Sequence, residues 1–221
     1  MRVKKGKAIF GAVAVLMLVA LGGVTFYYWY MNANYVITED AYIDGTIIKV
    51  APRISGELLD VSVEEGDRVA AGQVVARQDD VALAPGANPD LAVIRAPISG
   101  VVIKKLGNAG EVAAPGQSVI MLADPADVYV TANIEETKLA KVRPGQKVDL
   151  WVDGVPGRVF RGTVASIGEA ANSTFSLLPT RTTGGSFTKV VQRVPVKILI
   201  KDPHGGDLRL GLNVKVRIHV R

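Results

Sequence analysis

Two stretches of this chain repeat each other, and the repeat constrains the fold more than any other feature. Residues 51–80 open on Ala51-Pro52-Arg53-Ile54-Ser55-Gly56, and a second copy running to Asp124 opens on Ala96-Pro97-Ile98-Ser99-Gly100. They match at Ser55/Ser99, Gly56/Gly100, Gly66/Gly110, Gly72/Gly116, Gln73/Gln117, Val75/Val119 and Asp80/Asp124, all at one constant offset. Each copy reads as short strands rich in Val and Ile, punctuated by glycine turns, and alone would leave its apolar face without a partner. The two copies therefore pack on each other as a small, flattened β-sandwich with pseudo-twofold symmetry. Gly56, Gly66, Gly72, Gly100, Gly110 and Gly116 are expected at chain reversals, where positive φ is needed and a Cβ would clash.

The N-terminus carries the second strong signal. Arg2, Lys4, Lys5 and Lys7 precede a run that begins at Ala8 and meets no charge until Glu39. Its core exceeds the roughly 20 apolar residues that span a bilayer. Ala8, Phe10, Leu16, Leu18 and Leu21 supply the apolar body, and Phe26, Tyr27, Tyr28, Trp29 and Tyr30 close it with aromatics of the kind found at headgroup level. This predicts an uncleaved transmembrane anchor over 8–30 behind a basic tail over 1–7. The run is long, and no clear A-x-A site precedes the aromatics, which argues against a cleaved signal peptide. Basic residues before the span, with none just after it, predict a cytoplasmic N-terminus and an extracytoplasmic remainder. The chain has no cysteine, so neither a lipid-modified cysteine nor a disulfide framework is available.

The formal net charge is +5, yet four of the positive charges sit in the tail and all 21 acidic residues lie beyond residue 38. The remainder is nearly neutral, which removes the electrostatic footprint of a nucleic-acid binder. About 190 residues stay outside the membrane, enough for one sizeable β domain or two small ones, and the patterning favours two. A lead-in strand to the second domain is expected over 31–50, the sandwich over 51–124 from halves 51–80 and 95–124, and a small antiparallel β-barrel over 125–221. Barrel strands are expected at 128–134, 148–152, 158–167, 190–200 and 208–220, with two helical turns over 135–142. The fold class is thus mainly β behind an N-terminal transmembrane helix.

A polar loop over about 170–188 interrupts the barrel and carries an apolar island, Phe175-Ser176-Leu177-Leu178-Pro179. Two readings stand: the island folds back as a lid, or it contacts a partner or the bilayer surface, as apolar groups held on loops commonly do.

At this point the residues resemble a known family. The anchor, Thr38-Glu39-Asp40-Ala41-Tyr42-Ile43, the duplicated A-P-x-S-G half-motifs and the closing Gly211-Leu212-Asn213-Val214 resemble the HlyD-type membrane fusion proteins, also called periplasmic adaptor subunits. Phe175-Ser176-Leu177-Leu178-Pro179 and Lys189-Val190-Val191-Gln192-Arg193-Val194-Pro195-Val196 are similar to the EmrA-like branch, whose members work with major-facilitator multidrug exporters. The resemblance implies a lipoyl-like domain, a β-barrel nearer the membrane, and a role in efflux or secretion. It further implies an inner-membrane exporter as partner and self-association into rings or trimers. The docking residues it points to are Phe175, Leu177, Leu178 and Pro179, with Lys189, Gln192 and Arg193 beside them.

One departure matters. The family inserts a long coiled-coil hairpin between the lipoyl halves, whereas here residues 81–94 alone join them, with Pro85, Gly86 and Pro89 inside. Internal proline removes a helical hydrogen bond and clashes with the preceding turn, so no pair of long helices fits. Contact with an outer-membrane channel is doubtful without that arm.

Rival functions leave weaker marks. A lipoyl or biotinyl carrier needs an exposed lysine at the tip between the halves, and 81–94 contains none; Lys104 and Lys105 lie inside the second copy. Catalysis has little to draw on: His204 and His219 are the only histidines, Glu135 and Glu136 point apart on a helix, and no G-x-S-x-G, Walker or H-E-x-x-H motif occurs. No cofactor or metal is expected. The alternative from a different class is a membrane-anchored structural protein of the envelope without a transport role.

Overall fold

The computed structural model describes residues 2–81, 88–171, 191–202 and 208–220, with side chains from residue 15 onward. A single helix, α1 (Arg2–Asn34), opens the chain. Over 15–30 it is exposed all round: Leu16, Leu18, Leu21, Phe26, Tyr27, Tyr28, Trp29 and Tyr30 bury nothing against the rest of the protein. The stretch Val15–Asn34 is long and apolar enough to cross a membrane. A helix this apolar on every face suits lipid, which satisfies its side chains while its backbone bonds stay internal. The side chains of Ala8 and Phe10 lie outside the described residues. The helix continues past the expected boundary at residue 30 to Asn34 and passes directly into strand β1 (Tyr35–Thr38).

Strand β1 and strand β2 (Ala41–Val50) form one nearly continuous path, broken at Glu39 and Asp40. On one side β1 pairs with β13 (Val214–His219), and Tyr42 bridges Asn213. On the other side β2 pairs with β9 (Ile120–Glu135). The ladder then runs from β9 to β12 (Arg193–Ile200), β11 (Val159–Ile167), β10 (Lys147–Val152) and back to β13, all antiparallel. This closes a barrel with no free edge along that path. Alternation along each strand sends Ile43, Val130, Leu150, Val196, Ile198, Val216 and Ile218 inward, each no more than 1% exposed. The helical element after β9 is one turn, α2 (Glu136–Leu139), shorter than the two turns expected over 135–142. Pro144 and Gly145, with φ +88° at the glycine, follow too closely for more.

The repeat forms a second, separate core. One sheet contains β6 (Val93–Arg95), β5 (Val74–Gln78), β3 (Gly56–Val61) and β8 (Val112–Ala113). The other contains β4 (Arg68–Val69) and β7 (Gly100–Lys105) with the far halves of β9 and β2. Hydrogen bonds between the halves are reciprocal at the repeat offset. Gly66 N–H donates to Val102 O at 2.8 Å while Gly110 N–H donates to Leu58 O at 2.7 Å. Val102 N–H donates to Asp67 O at 2.9 Å while Leu58 N–H donates to Glu111 O at 2.8 Å. The matched pairs Leu58/Val102 and Val75/Val119 are all buried in the shared core. Each half therefore fills the other's vacancies, which is the pseudo-twofold sandwich the sequence predicts.

The glycines divide into two groups. Gly66, Gly72, Gly110 and Gly116 have φ between +82° and +97° and sit at reversals as expected. Gly56 and Gly100 do not; both begin strands, and their reason is space. A Cβ on Gly100 would stand 2.5 Å from Ala123 O, and one on Gly56 3.0 Å from Asp79 O. Between the halves, residues 88–92 carry a short 3-10 turn, Pro89–Ala92, capped by the Asn88 side chain, whose oxygen accepts from Asp90 N–H.

Candidate docking surface

The barrel end that faces away from the sandwich gathers the sequence-predicted groups that are described. Three backbone features meet there: the junction of α1 with β1, the turn α2, and the mouth of the 168–192 segment. Gly168 N–H donates to Pro195 O at 2.8 Å just past the end of β11, and β12 begins at Arg193 opposite Glu135. The loop therefore leaves and returns at neighbouring points on the rim. α1 is tied to the same rim, because Lys141 Nζ donates to Asn32 O at 2.8 Å and Val220 N–H donates to Asn34 O at 3.0 Å.

Of the predicted docking residues, the structure brings Gln192 and Arg193 to this rim. Phe175, Leu177, Leu178, Pro179 and Lys189 lie outside the described residues. Gln192 is half-buried, and its carbonyl accepts from Glu136 N–H at 2.9 Å, which pins the returning strand to α2. Arg193 reaches across the rim to an ion pair with Asp40. Asp40 is held in turn: its Oδ1 accepts from Asn133 Nδ2 at 2.9 Å, its N–H donates to Thr38 Oγ1 at 3.1 Å, and Thr38 Oγ1 donates to Asn133 O at 3.1 Å. Lys138 and Glu135 form a further pair at 2.9 Å beside them. Thr38, Asp40, Asn133, Glu135, Lys138 and Arg193 line a shallow groove on this rim.

Sequence reasoning missed Asp40 as a member of this cluster. Its signal was present in Thr38-Glu39-Asp40-Ala41, where a polar pair interrupts an otherwise continuous strand, but only the closed barrel shows that residue 40 meets residue 193. The chemistry of the rim is that of polar recognition. Its acids and bases are paired, and among the described residues no cluster of three or more His, Asp or Glu is placed to hold a metal ion. His219 takes a strand-end role, with Nε2 2.9 Å from Asp149 Oδ2 and its ring edge-on to Tyr35. His204 lies outside the described residues.

Comparison with known proteins fits this architecture. Residues 46–124 match the RND MFP barrel-sandwich hybrid domain, and residues 127–219 match the AAEA-like beta-barrel domain. The chain is 35% identical over 218 residues to YhbJ of Bacillus subtilis, a putative efflux system component, covering 98% of this chain and 95% of that protein. The chain belongs to the membrane fusion proteins, on their EmrA-like branch. It is 35% identical over 134 residues to the probable multidrug resistance protein EmrK of Escherichia coli, covering 58% of this chain but only 34% of EmrK. The fold is similar to the solved periplasmic adaptor protein EmrA, with TM-score 0.57 and 17% identity over 84% of this chain and 98% of that one. The chain matches YhbJ nearly end to end, while it spans about a third of EmrK. The family consists of adaptors, not enzymes. Among the described residues one helix is long and apolar enough to cross a membrane, which with these relatives marks a membrane-anchored protein.

Proposed function

We propose that this chain is the membrane-anchored adaptor of an efflux complex, docking an inner-membrane exporter of the major-facilitator type, with its N-terminus cytoplasmic and its β domains extracytoplasmic. The observation that carries the reading is 35% identity to YhbJ, named a putative efflux system component, across nearly the whole chain, anchor and both β modules included. The Arg193–Asp40 rim and the Phe175-Ser176-Leu177-Leu178-Pro179 segment form the exporter contact, and the lipoyl-like sandwiches associate side by side with other copies. Energy for export comes from the transporter, because this chain offers scaffolding and no chemistry of its own. With residues 81–94 in place of a helical hairpin, it does not itself reach an outer-membrane channel. The carrier and the purely structural readings have no observation in their favour. Photo-crosslinking in intact cells from a probe at Leu177, followed by mass spectrometry, tests the assignment. A captured multi-span exporter is the expected product; capture of other copies of this chain alone would remove the docking role of the loop.

A further inference from the structure

The outer face of β1, β13 and β10 presents a second surface, which adjoins the docking rim and shares Ile37 with it. Strand alternation turns Val36, Val216 and Leu150 into the barrel core, which leaves Ile37, Lys215, Arg217 and Trp151 on the outer face. They are neighbours in register: Ile37 lies opposite Arg217, and Trp151 opposite Lys215. Met31, in the last turns of α1, converts this face into a groove of about 410 Å³ lined by these five residues.

The position of the groove is set by the helix. Met31 directly follows the aromatic run that ends at Tyr30, so the groove starts where the span's interfacial aromatics stop. Met31 precedes the helix–strand junction and Ile37 follows it, yet both line one groove. The last turns of α1 and the outer face of the sheet therefore adjoin at the junction. The groove's composition suits that level. Met31, Ile37 and the half-buried Trp151 form an apolar floor, with Ile37 37% exposed. The Arg217 guanidinium stacks 4.5 Å from the Trp151 ring and 5.5 Å from the Tyr35 ring, fixing the indole from one side. Each cation already has a carboxylate: Lys215 Nζ is 2.7 Å from Glu39 Oε1, and Arg217 Nε is 3.5 Å from Asp149 Oδ2. The groove carries no net charge, so it matches a dipolar headgroup over an apolar tail better than an acidic ligand.

We propose that this groove seats a glycerophospholipid of the leaflet at which α1 emerges, with its glycerol and upper acyl segment against Met31, Ile37 and Trp151 and its zwitterionic headgroup against the Lys215–Glu39 pair. A tryptophan flanked by aliphatic groups and by the stems of a lysine and an arginine has the amphipathic character of an interfacial anchor. The bound lipid fixes the depth and tilt of the barrel on the membrane without any exporter.

The chain has two tryptophans, Trp29 and Trp151, which makes the test direct. The full-length Trp29→Phe protein is reconstituted into phosphatidylcholine liposomes in which the lipid carries bromine either near the headgroup end of the acyl chain or near the bilayer centre. Trp151 emission is expected to be blue-shifted and quenched more by the shallow bromines than by the deep ones. Inorganic phosphate in solution is expected to leave it unchanged, and Ile37→Ser to reduce the quenching while far-UV dichroism and melting stay as in the parent. Emission indifferent to brominated lipid, or quenching that persists undiminished in both Ile37→Ser and Ile37→Asp, overturns the proposal. No exporter is present in this assay, so its failure is independent of any failure to crosslink one.

Discussion

Gly100 and Gly116 are glycines for different reasons, and replacing each by alanine separates the two. Gly116 has φ +90° with nothing within 4 Å of a built Cβ, so Gly116→Ala meets only the intrinsic cost of a left-handed backbone, about 1 kcal/mol. Gly100 has ordinary φ, but its Cβ would stand 2.5 Å from Ala123 O and 3.2 Å from Ala123 C, both backbone atoms that cannot swing aside. To accept alanine, β7 must withdraw from β9 where Val101 pairs with Ala123, and the adjoining pair Gly100/Val69 shifts with it. Overpacking costs about 1–3 kcal/mol and occasionally more, and a clash with rigid backbone belongs at the upper end, about 3 kcal/mol. For a chain of this size about 1 kcal/mol corresponds to about 2–4 °C in Tm. Thermal unfolding of the full-length protein in detergent, followed by far-UV dichroism, should therefore place Gly116→Ala about 2–4 °C and Gly100→Ala about 6–12 °C below the parent. Gly116→Asn should fall between the parent and Gly116→Ala, since asparagine tolerates positive φ. A Gly100→Ala protein as stable as the parent, or less affected than Gly116→Ala, would refute the steric account of the strand-start glycines.

Other outcomes follow from single contacts. Gln78 is buried, and its Nε2 donates to Gly56 O and Ala113 O, both at 3.0 Å; Gln78→Leu, the residue its repeat partner Leu122 carries, removes this bridge across the β3–β8 pair and should cost about 1 kcal/mol in a denaturant titration. A gain in stability would mean the amide bridge does not hold the halves together. The Glu39 carboxyl is held below its ordinary value of 4.5 by the Lys215 hydrogen bond and charge. A depressed folded value means this contact stabilises above the unfolded value and is lost as pH falls through the folded one; NMR titration should show Glu39 moving back up toward 4.5 in Lys215→Met. An unmoved Glu39 would break the link. Arg193→Met removes an exposed ion pair worth about 0–1 kcal/mol, so Tm should shift by no more than about 4 °C while drug export by cells carrying the variant falls. Unaltered export would take the rim out of the exporter contact.

Much of the fold was legible because its causes are local or repeated. The repeat announced the sandwich, since identities at one constant offset leave two copies of the same turn chemistry, and the reciprocal bonds of Gly66 and Gly110 are its physical expression. The apolar helix was legible from the length and composition of its run alone. What escaped was non-local. The boundary expected between residues 124 and 125 falls inside Asp124-Pro125-Ala126-Asp127, yet β9 runs from Ile120 to Glu135 without ending, and those residues bulge opposite Thr46 between the Ile47/Ala123 and Gly45/Val128 pairs. Thr46 Oγ1 donates to Asp127 Oδ2 at 2.7 Å across that bulge. A long-range partner, β2, carries the strand across the expected boundary as a distortion, and no local pattern encodes the partner. The same holds for the docking rim: Gln192 and Arg193 stood out in the sequence, but Asp40 joins them only through barrel closure.

That closure sets an order on how the protein comes into being. The first strand out of the membrane, β1, hydrogen-bonds to the last strand of the chain, β13, and the helix end at Asn34 accepts from Val220. Contacts of such long sequence separation form late and slowly, because the loop-closure entropy must be met before they stabilise anything. A ribosome that has not yet released β13 therefore leaves the barrel open. The sandwich, complete by residue 124, has its full set of partners while the barrel has not. Until β13 pairs with β1 the barrel core is uncovered, and in that interval the chain is most exposed to proteases and to pairing with other nascent copies.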